Sequence, residues 1–339
     1  MICILTGAKK NVGDYLIGSR AKKLLREFVD TDILELDRFK SHEDKLKLLN
    51  GARAVILCGG PAYAEDIYPR IYPLVSNLDD LKVPIIPFGL GWSGQPFGHP
   101  EQFKFKPAAK EFLDRIHGSI KNSSCRDDVT HSVLKQQGYS NILMTGCPVW
   151  YDLESIGKEL EASKFDKIVY TTPAAPGLIK QNSMLMRELK KQFPKSKIIC
   201  SFHRGIYPDQ YTSLRYGAAY SFMALEAKLY GFEVVDTAYG LEKINFYKEC
   251  DFHVGYRVHA HLDFLSRRKP SILINEDGRG LGMVRSLGLP ELNFDDKCLT
   301  EKFEDLLARY RSGEHSDLEH AVDVIENKYD TMKEFLGSL

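Results

Sequence analysis

Short, continuously apolar runs alternate with longer stretches of helical period along almost the whole chain. Residues 2–6 (ICILT) read as a strand, and 14–28 as a helix whose apolar positions recur every three or four residues. Further strands are expected at 32–36, 54–58, 83–88, 123–126 and 141–145, with helices between most of them. Runs that are apolar throughout, rather than at every second position, fit strands covered on both faces. The pattern therefore predicts a parallel sheet flanked by helices.

A charged stretch over 154–167 is expected to form a helix-like linker, after which the alternation restarts. Strands are predicted at 167–171, 197–202, 232–236, 251–255 and 271–275. The tail from 300 to 339 carries Glu, Lys and Leu at helical spacing, with Ser316-Asp317 as a cap before its last segment. The fold class is α/β: two tandem Rossmann-like domains, 1–155 and 156–339, the second ending in closing helices. A length of 339 residues agrees, being too long for one ordinary core. Two lobes imply a central cleft, and ligands collect at the carboxyl ends of such strands.

Composition then removes several classes. Lys plus Arg and Asp plus Glu each total 46, so no net field attracts nucleic acid or an acidic membrane. The apolar start is short and lacks a preceding cationic region, unlike a signal peptide, and no run approaches the roughly 18 apolar residues of a membrane span. Seven scattered cysteines without a C-x-x-C pair suit reduced thiols. A cytoplasmic protein is expected, peripheral at the inner face of the membrane if it touches one, with homo-oligomerisation left open.

The strand ends carry the candidate chemistry. Gly7-Ala8-Lys9-Lys10-Asn11-Val12-Gly13-Asp14 opens onto a helix whose free N–H groups can hold an anion or a substrate hydroxyl, with Asp14 equally suited to capping. It lacks the later glycines of the dinucleotide fingerprint. Cys58-Gly59-Gly60-Pro61 and Phe88-Gly89-Leu90-Gly91-Trp92-Ser93-Gly94 end two more strands, either for close approach of a ligand or as tight turns. Trp92 offers a face on which a sugar ring could stack. Arg126, in Ser124-Cys125-Arg126-Asp127-Asp128, can grip a carboxylate or phosphate bidentately.

In the second half, Ser201-Phe202-His203-Arg204-Gly205 ends one strand and Gly255-Tyr256-Arg257-Val258-His259-Ala260-His261 another. Arg257 and His259 are expected in the turn before a helix that starts near 260. A near-neutral imidazole beside a cation can exchange a proton with a substrate, and a structural histidine is the alternative. His253, His259 and His261 do not converge and lack a fourth ligand, so no metal site is expected. Arg279, between Gly278 and Gly280, adds a further cation at the next strand end.

These segments, in this order and spacing, resemble the polysaccharide pyruvyl transferase family. The resemblance runs from Asn11-Val12-Gly13-Asp14 through Cys125-Arg126-Asp127, Gly146-Cys147-Pro148 and the Arg257-x-His259-Ala260 segment to Arg279 and Leu287-Gly288-Leu289. It implies a glycosyltransferase-B-like fold and transfer from phosphoenolpyruvate, a co-substrate, onto two hydroxyls of a sugar or lipid-linked glycan, forming a pyruvate ketal without a cofactor. By the same resemblance Arg126 is the donor-binding arginine and His259 the catalytic histidine. Arg279 stands where members often carry lysine, Pro61 where a third glycine is common, and Cys147 where Asp is usual.

Arg126, Arg279 and Arg257 fit the charge of phosphoenolpyruvate, and Asn11, Gly13, Asp14, Gly59, Gly60, Trp92 and His203 complete the expected substrate contacts. Two rivals remain. A nucleotide-sugar glycosyltransferase of the same architecture would use Glu276 on a ribose, and a glycan-binding protein would have no turnover.

Overall fold

The apolar run at the N-terminus forms β1 (Ile2–Thr6), buried at every residue. The computed structural model describes residues 1–94, 99–162 and 164–339. The chain divides into unit 1, residues 1–8, 17–151 and 325–339, and unit 2, residues 9–16 and 152–324.

In chain order the first elements after β1 are α1 (Val12–Phe28), β2 (Ile33–Asp37), α2 (Leu46–Asn50), β3 (Val55–Cys58), β4 (Pro61–Tyr63), β5 (Ile85–Phe88) and β6 (Gly91–Trp92). They are followed by α3 (Pro107–Ser119), β7 (Ser123–Cys125), α4 (Asp128–Gln136) and β8 (Ile142–Met144). The main sheet of unit 1 runs β2-β1-β3-β5, all parallel. A parallel bridge between Leu90 and Cys125 leads on to the β7-β8 pair. Central β3 is buried throughout, whereas no residue of edge strand β2 is. Truncating a central side chain such as Leu57 to Ala would cost about 2–5 kcal/mol. The small parallel pair β4-β6 was not expected, because its strands are two or three residues long and flanked by glycines.

Unit 2 contains β9 (Lys167–Thr171), α5 (Ile179–Gln192), β10 (Lys197–Phe202), α6 (Leu214–Leu229), β11 (Glu233–Asp236), β12 (Phe252–Gly255), α7 (Val258–Ser266), β13 (Ser271–Leu273), α8 (Gly278–Ser286) and α9 (Leu299–Arg311). The last helix, α10 (Ser316–Gly337), begins in unit 2 and ends in unit 1. The sheet order is β11-β10-β9-β12-β13, again all parallel. Each unit is thus a Rossmann-like α/β layer structure. Strand order reverses between β1 and β3 in unit 1 and between β9 and β12 in unit 2, and crevices at such reversals hold ligands. No helix among the described residues is long and apolar enough to cross a membrane.

Three expectations are corrected. The stretch 154–167 forms turns and extended chain before β9 rather than a helix, among its described residues; Ser163 lies outside them. Its charged sequence offers no apolar stripe to bury, and backbone bonds fix it elsewhere: Glu161 N–H donates to Arg268 O at 2.7 Å, and Arg268 Nε to Lys158 O at 3.1 Å. The division at 155 falls instead after 151, and residues 325–339 cluster with unit 1, where Phe335 packs on Phe88 at 5.3 Å and Tyr329 on Tyr151 at 5.3 Å. Residues 9–16 cluster with unit 2 because Val12 N–H donates to His203 O and Tyr239 N–H to Lys10 O, and Lys10 pairs with Asp209 at 2.6 Å. Lys10 and Tyr239 hold the Asp209 carboxyl at about 2 against the upward push of burial.

Candidate functional site

The β9/β12 reversal in unit 2 is closed tightly. Gly255 has φ +146°, and a Cβ there would lie 2.3 Å from Thr171 O, so only glycine lets β12 approach β9. Two residues on, Arg257 caps α7 from an extended conformation, and its N–H donates to Thr171 Oγ1 at 3.2 Å. The helix therefore starts at Val258, earlier than the sequence suggested, and His259 is its second residue. Arg257 is 8% exposed; Nη2 donates to Pro173 O at 3.1 Å, and Nε is buried without a partner. Burial lowers its pKa, with Glu276 opposing the shift. A desolvated cation with unspent donors is primed for an anion.

His259 is half-buried and packs on the turn of residues 11–14. A Cβ at Gly13 would lie 3.0 Å from His259 Nδ1, so the missing side chain gives the imidazole its place. Asn11 shapes this turn: Nδ2 donates to Asp14 Oδ2 at 3.2 Å, and Oδ1 accepts from Gly13 N–H at 3.4 Å. Asn11, Gly13, Asp14 and His259 are thus brought together.

His203 is not placed for substrate contact. It is 1% exposed, its Nε2 bonds to Tyr247 Oη at 2.8 Å, and burial, followed by Arg257, His253 and His259, holds its pKa well below the usual range. Its carbonyl instead anchors the 11–14 turn through Val12 N–H at 3.1 Å. The neighbouring Arg204, which sequence reasoning passed over, is half-buried and acts electrostatically on both Arg257 and Tyr220. Thr172, at the end of β9, also escaped notice; its hydroxyl is buried without a partner. His253 and His261 share Ser271 Oγ, at 2.8 and 2.7 Å from their Nδ1 atoms, and are core residues.

Arg279 is engaged rather than open. Its Nε lies 2.8 and 2.9 Å from the two Asp277 oxygens, Nη2 also pairs with Asp277, and Glu276 Oε1 stands 3.8 Å away. Burial lowers its pKa, but Asp277, Glu276 and Asp14 outweigh that and raise it. Glu276 accepts from Ala174 N–H at 2.8 Å, and its pKa is raised by burial against the pull of Arg257 and Arg279. It ties the end of β9 to the segment after β13.

In unit 1, Arg126 is 2% exposed, with Nε donating to Asp127 Oδ2 at 3.0 Å and Nη2 to Trp92 O at 3.2 Å. Asp127 also caps α4, accepting from Thr130 N–H at 2.7 Å. The pair depends on Gly91, where a Cβ would lie 1.9 Å from Arg126 Nε. Trp92 is 6% exposed and packs edge-on against Phe103 at 5.8 Å, so the expected sugar-stacking face is covered. Gly59 and Gly60 have φ +55° and +74°; a Cβ would meet Ile17 at the first and Arg38 at the second. Elsewhere, a cavity of about 590 Å³ lies between α5 and residues 294–300, lined by Lys180, Arg187, Glu226, Asp296 and Lys297 among others, and none of the strand-end residues reaches it.

The family model described as polysaccharide pyruvyl transferase matches residues 11–278. Among solved structures, the S. aureus MnaA–UDP co-structure superimposes with TM-score 0.57 at 11% identity, covering 100% of this chain and 97% of that one. A UDP-N-acetylglucosamine 2-epimerase from Neisseria meningitidis bound to UDP-GlcNAc gives 0.55 at 9% identity, with 98% and 100% covered. A protein described as a UDP-N-acetylglucosamine 2-epimerase from Listeria monocytogenes gives 0.56 at 11%, with 99% and 94% covered. These likenesses show a glycosyltransferase-B-like fold. An adenylosuccinate synthetase from Shewanella frigidimarina is 33% identical over 72 residues, 21% of this chain and 17% of the relative's own length.

Proposed function

The chain belongs to the polysaccharide pyruvyl transferase family, and from that premise we propose that it moves the pyruvyl unit of phosphoenolpyruvate onto two hydroxyls of a glycan sugar. The products are a cyclic ketal and inorganic phosphate. The observation that carries this reading is that Arg257, a buried guanidinium with an unpartnered Nε, and His259, two residues on, both stand at the β9/β12 reversal. Carboxylate and phosphate oxygens of the donor are the natural acceptors for Arg257, with Arg204 as the adjoining cation and the Thr172 hydroxyl as a further donor. Arg126 and Arg279, already engaged by carboxylates, are weaker candidates for direct donor contact.

In the proposed reaction the methylene carbon gains a proton, which makes C2 electrophilic. One sugar hydroxyl adds to C2, the C2–O bond to phosphate breaks, and the second hydroxyl closes the ketal. The two hydroxyl protons balance the scheme, one ending on the new methyl group and one on phosphate. His259 is the group that moves them, a role worth about 10² to 10⁴ in rate. No cofactor enters the scheme.

Incubation with phosphoenolpyruvate and a panel of glycosides tests this reading. Expected are phosphate release and a product carrying the pyruvate-ketal mass increment. Nucleoside diphosphate release from an activated sugar would replace the reading with glycosyl transfer, and glycan binding with no donor-dependent product would replace it with a binding protein.

A further inference from the structure

We propose that unit 1 contains a second anion site, in which Arg38 holds a phosphoryl group at the β1/β3 reversal. Arg38 follows β2, yet its guanidinium lies across the ends of the two strands that flank the reversal. A Cβ at Gly7, just after β1, would stand 3.0 Å from Arg38 Cζ, and one at Gly60, just after β3, 2.9 Å from Nη1. The absent side chains make room for the cation at the edge where doubly wound sheets take ligands.

The charge is almost sealed and uncompensated. Arg38 is 7% exposed, and its guanidinium spends one η-nitrogen on backbone, Nη1 donating to Gly59 O at 3.2 Å. Nε is buried with no acceptor. No carboxylate pairs with it among the described residues; its other neighbours are the rings of Phe39, at 4.6 Å, and Tyr72, at 5.9 Å, and burial raises the Tyr72 hydroxyl's pKa while Arg38 pulls it down. Arg126 shows the contrast in the same unit, since its buried guanidinium has Asp127. A buried cation without an anion of its own calls for one from outside.

Backbone donors without an acceptor lie in the same two strand-end turns. The N–H groups of Gly7, Ala8 and Gly60 find no acceptor among the described residues, and Gly59 and Gly60 take successive positive φ values. Amides from two strand-end turns together with a guanidinium fork suit the tetrahedral oxygens of phosphate. Arg257 repeats the design in unit 2, with one η-nitrogen on a strand-end carbonyl and Nε left over. On the reading of unit 2 given above, on which this last step rests, the phosphoryl group belongs to the acceptor, a glycan precursor carrying a sugar phosphate.

The test is equilibrium binding of inorganic phosphate to the full chain. The Arg257→Gln protein is expected to retain saturable binding that weakens at least tenfold on adding Arg38→Gln and less on adding Arg38→Lys. Gly7→Ala, which presses a methyl group on Cζ and keeps the charge, should weaken it too. In the wild-type background Arg38→Gln should remove one phosphate site. Absence of saturable binding by Arg257→Gln, or binding unmoved by both Arg38→Gln and Gly7→Ala, overturns the site. A sugar 1-phosphate that competes no better than inorganic phosphate overturns the acceptor assignment. Phosphate release from phosphoenolpyruvate with a neutral glycoside tests unit 2 alone, so the two readings can fail separately.

Discussion

Replacing Gly13 by Ala probes His259 without altering it. Gly13 is the second residue of α1, and its φ is not in the left-handed region, so alanine fits the backbone there. Helix propensity favours the change by up to about 1 kcal/mol. The added methyl, however, would lie 3.0 Å from His259 Nδ1 and 3.2 Å from its Cβ. Ordinary carbon contacts begin near 3.5 Å, so the ring must retreat by roughly half an ångström.

A misplacement of about 1 Å can cost on the order of 10² in rate, and half that displacement corresponds to about tenfold. The expected result is a protein that melts at or slightly above the wild-type temperature, releases phosphate about ten times more slowly, and binds phosphoenolpyruvate with little change. Calorimetric melting, phosphate release in the presence of a glycoside acceptor, and donor titration read the three quantities. A Gly13→Ala protein with undiminished turnover would show that the position of His259 does not matter to the reaction, and the catalytic assignment would be lost with it.

His259→Ala should lower turnover by about 10² to 10⁴ while donor affinity, measured by titration, stays near wild type; full activity refutes the assignment. Arg126→Ala should destabilise unit 1 by about 3–5 kcal/mol in denaturant unfolding, because it strands Asp127 as a buried charge; a loss below 1 kcal/mol would contradict the pairing. Acid should also destabilise the fold. His203, His253 and His261 are buried with lowered pKa values, about 3 for His261. Below the unfolded value of about 6.5 the unfolded chain binds more protons, so stability is full above that pH and falls below it. Each histidine adds about 1.4 kcal/mol per pH unit, roughly 4 kcal/mol together. Stability that stays flat between pH 6 and 5 would refute this.

How much of this was legible depended on whether a residue's role is fixed by its own segment. Apolar runs such as 55–58 and 168–171 announce buried strands, and Gly59 and Gly60 after the first mark the ligand edge. Side-chain direction at that edge is decided by the pleat and by distant neighbours. His203 and Arg204 are adjacent in sequence, yet the first is buried on Tyr247 while the second stays half-buried and acts on Arg257 through its charge. Arg279 looked open because its partner Asp277 lies two residues away, and only the first turn of α8 folds the two together. Trp92 looked like a sugar platform, but Phe103, eleven residues later, covers it.

Arg38 escaped for a different reason, and it bears on what a strand end can mean. It follows an edge strand without a glycine after it, so nothing local marks it; its significance comes from reaching past β1 to the end of β3. A buried donor left unsatisfied costs about 1–3 kcal/mol, and folded proteins leave few of them. Arg38 Nε and Arg257 Nε both carry that cost, each at the reversal of its own sheet. A purely structural arginine would be expected to recover it through a carboxylate, as Arg126 does with Asp127. An unsatisfied guanidinium at the ligand edge is better explained as a group whose partner arrives with the substrate. The same argument ranks Arg257 above Arg126 and Arg279 for contact with the donor, and it does so on geometry that owes nothing to family resemblance.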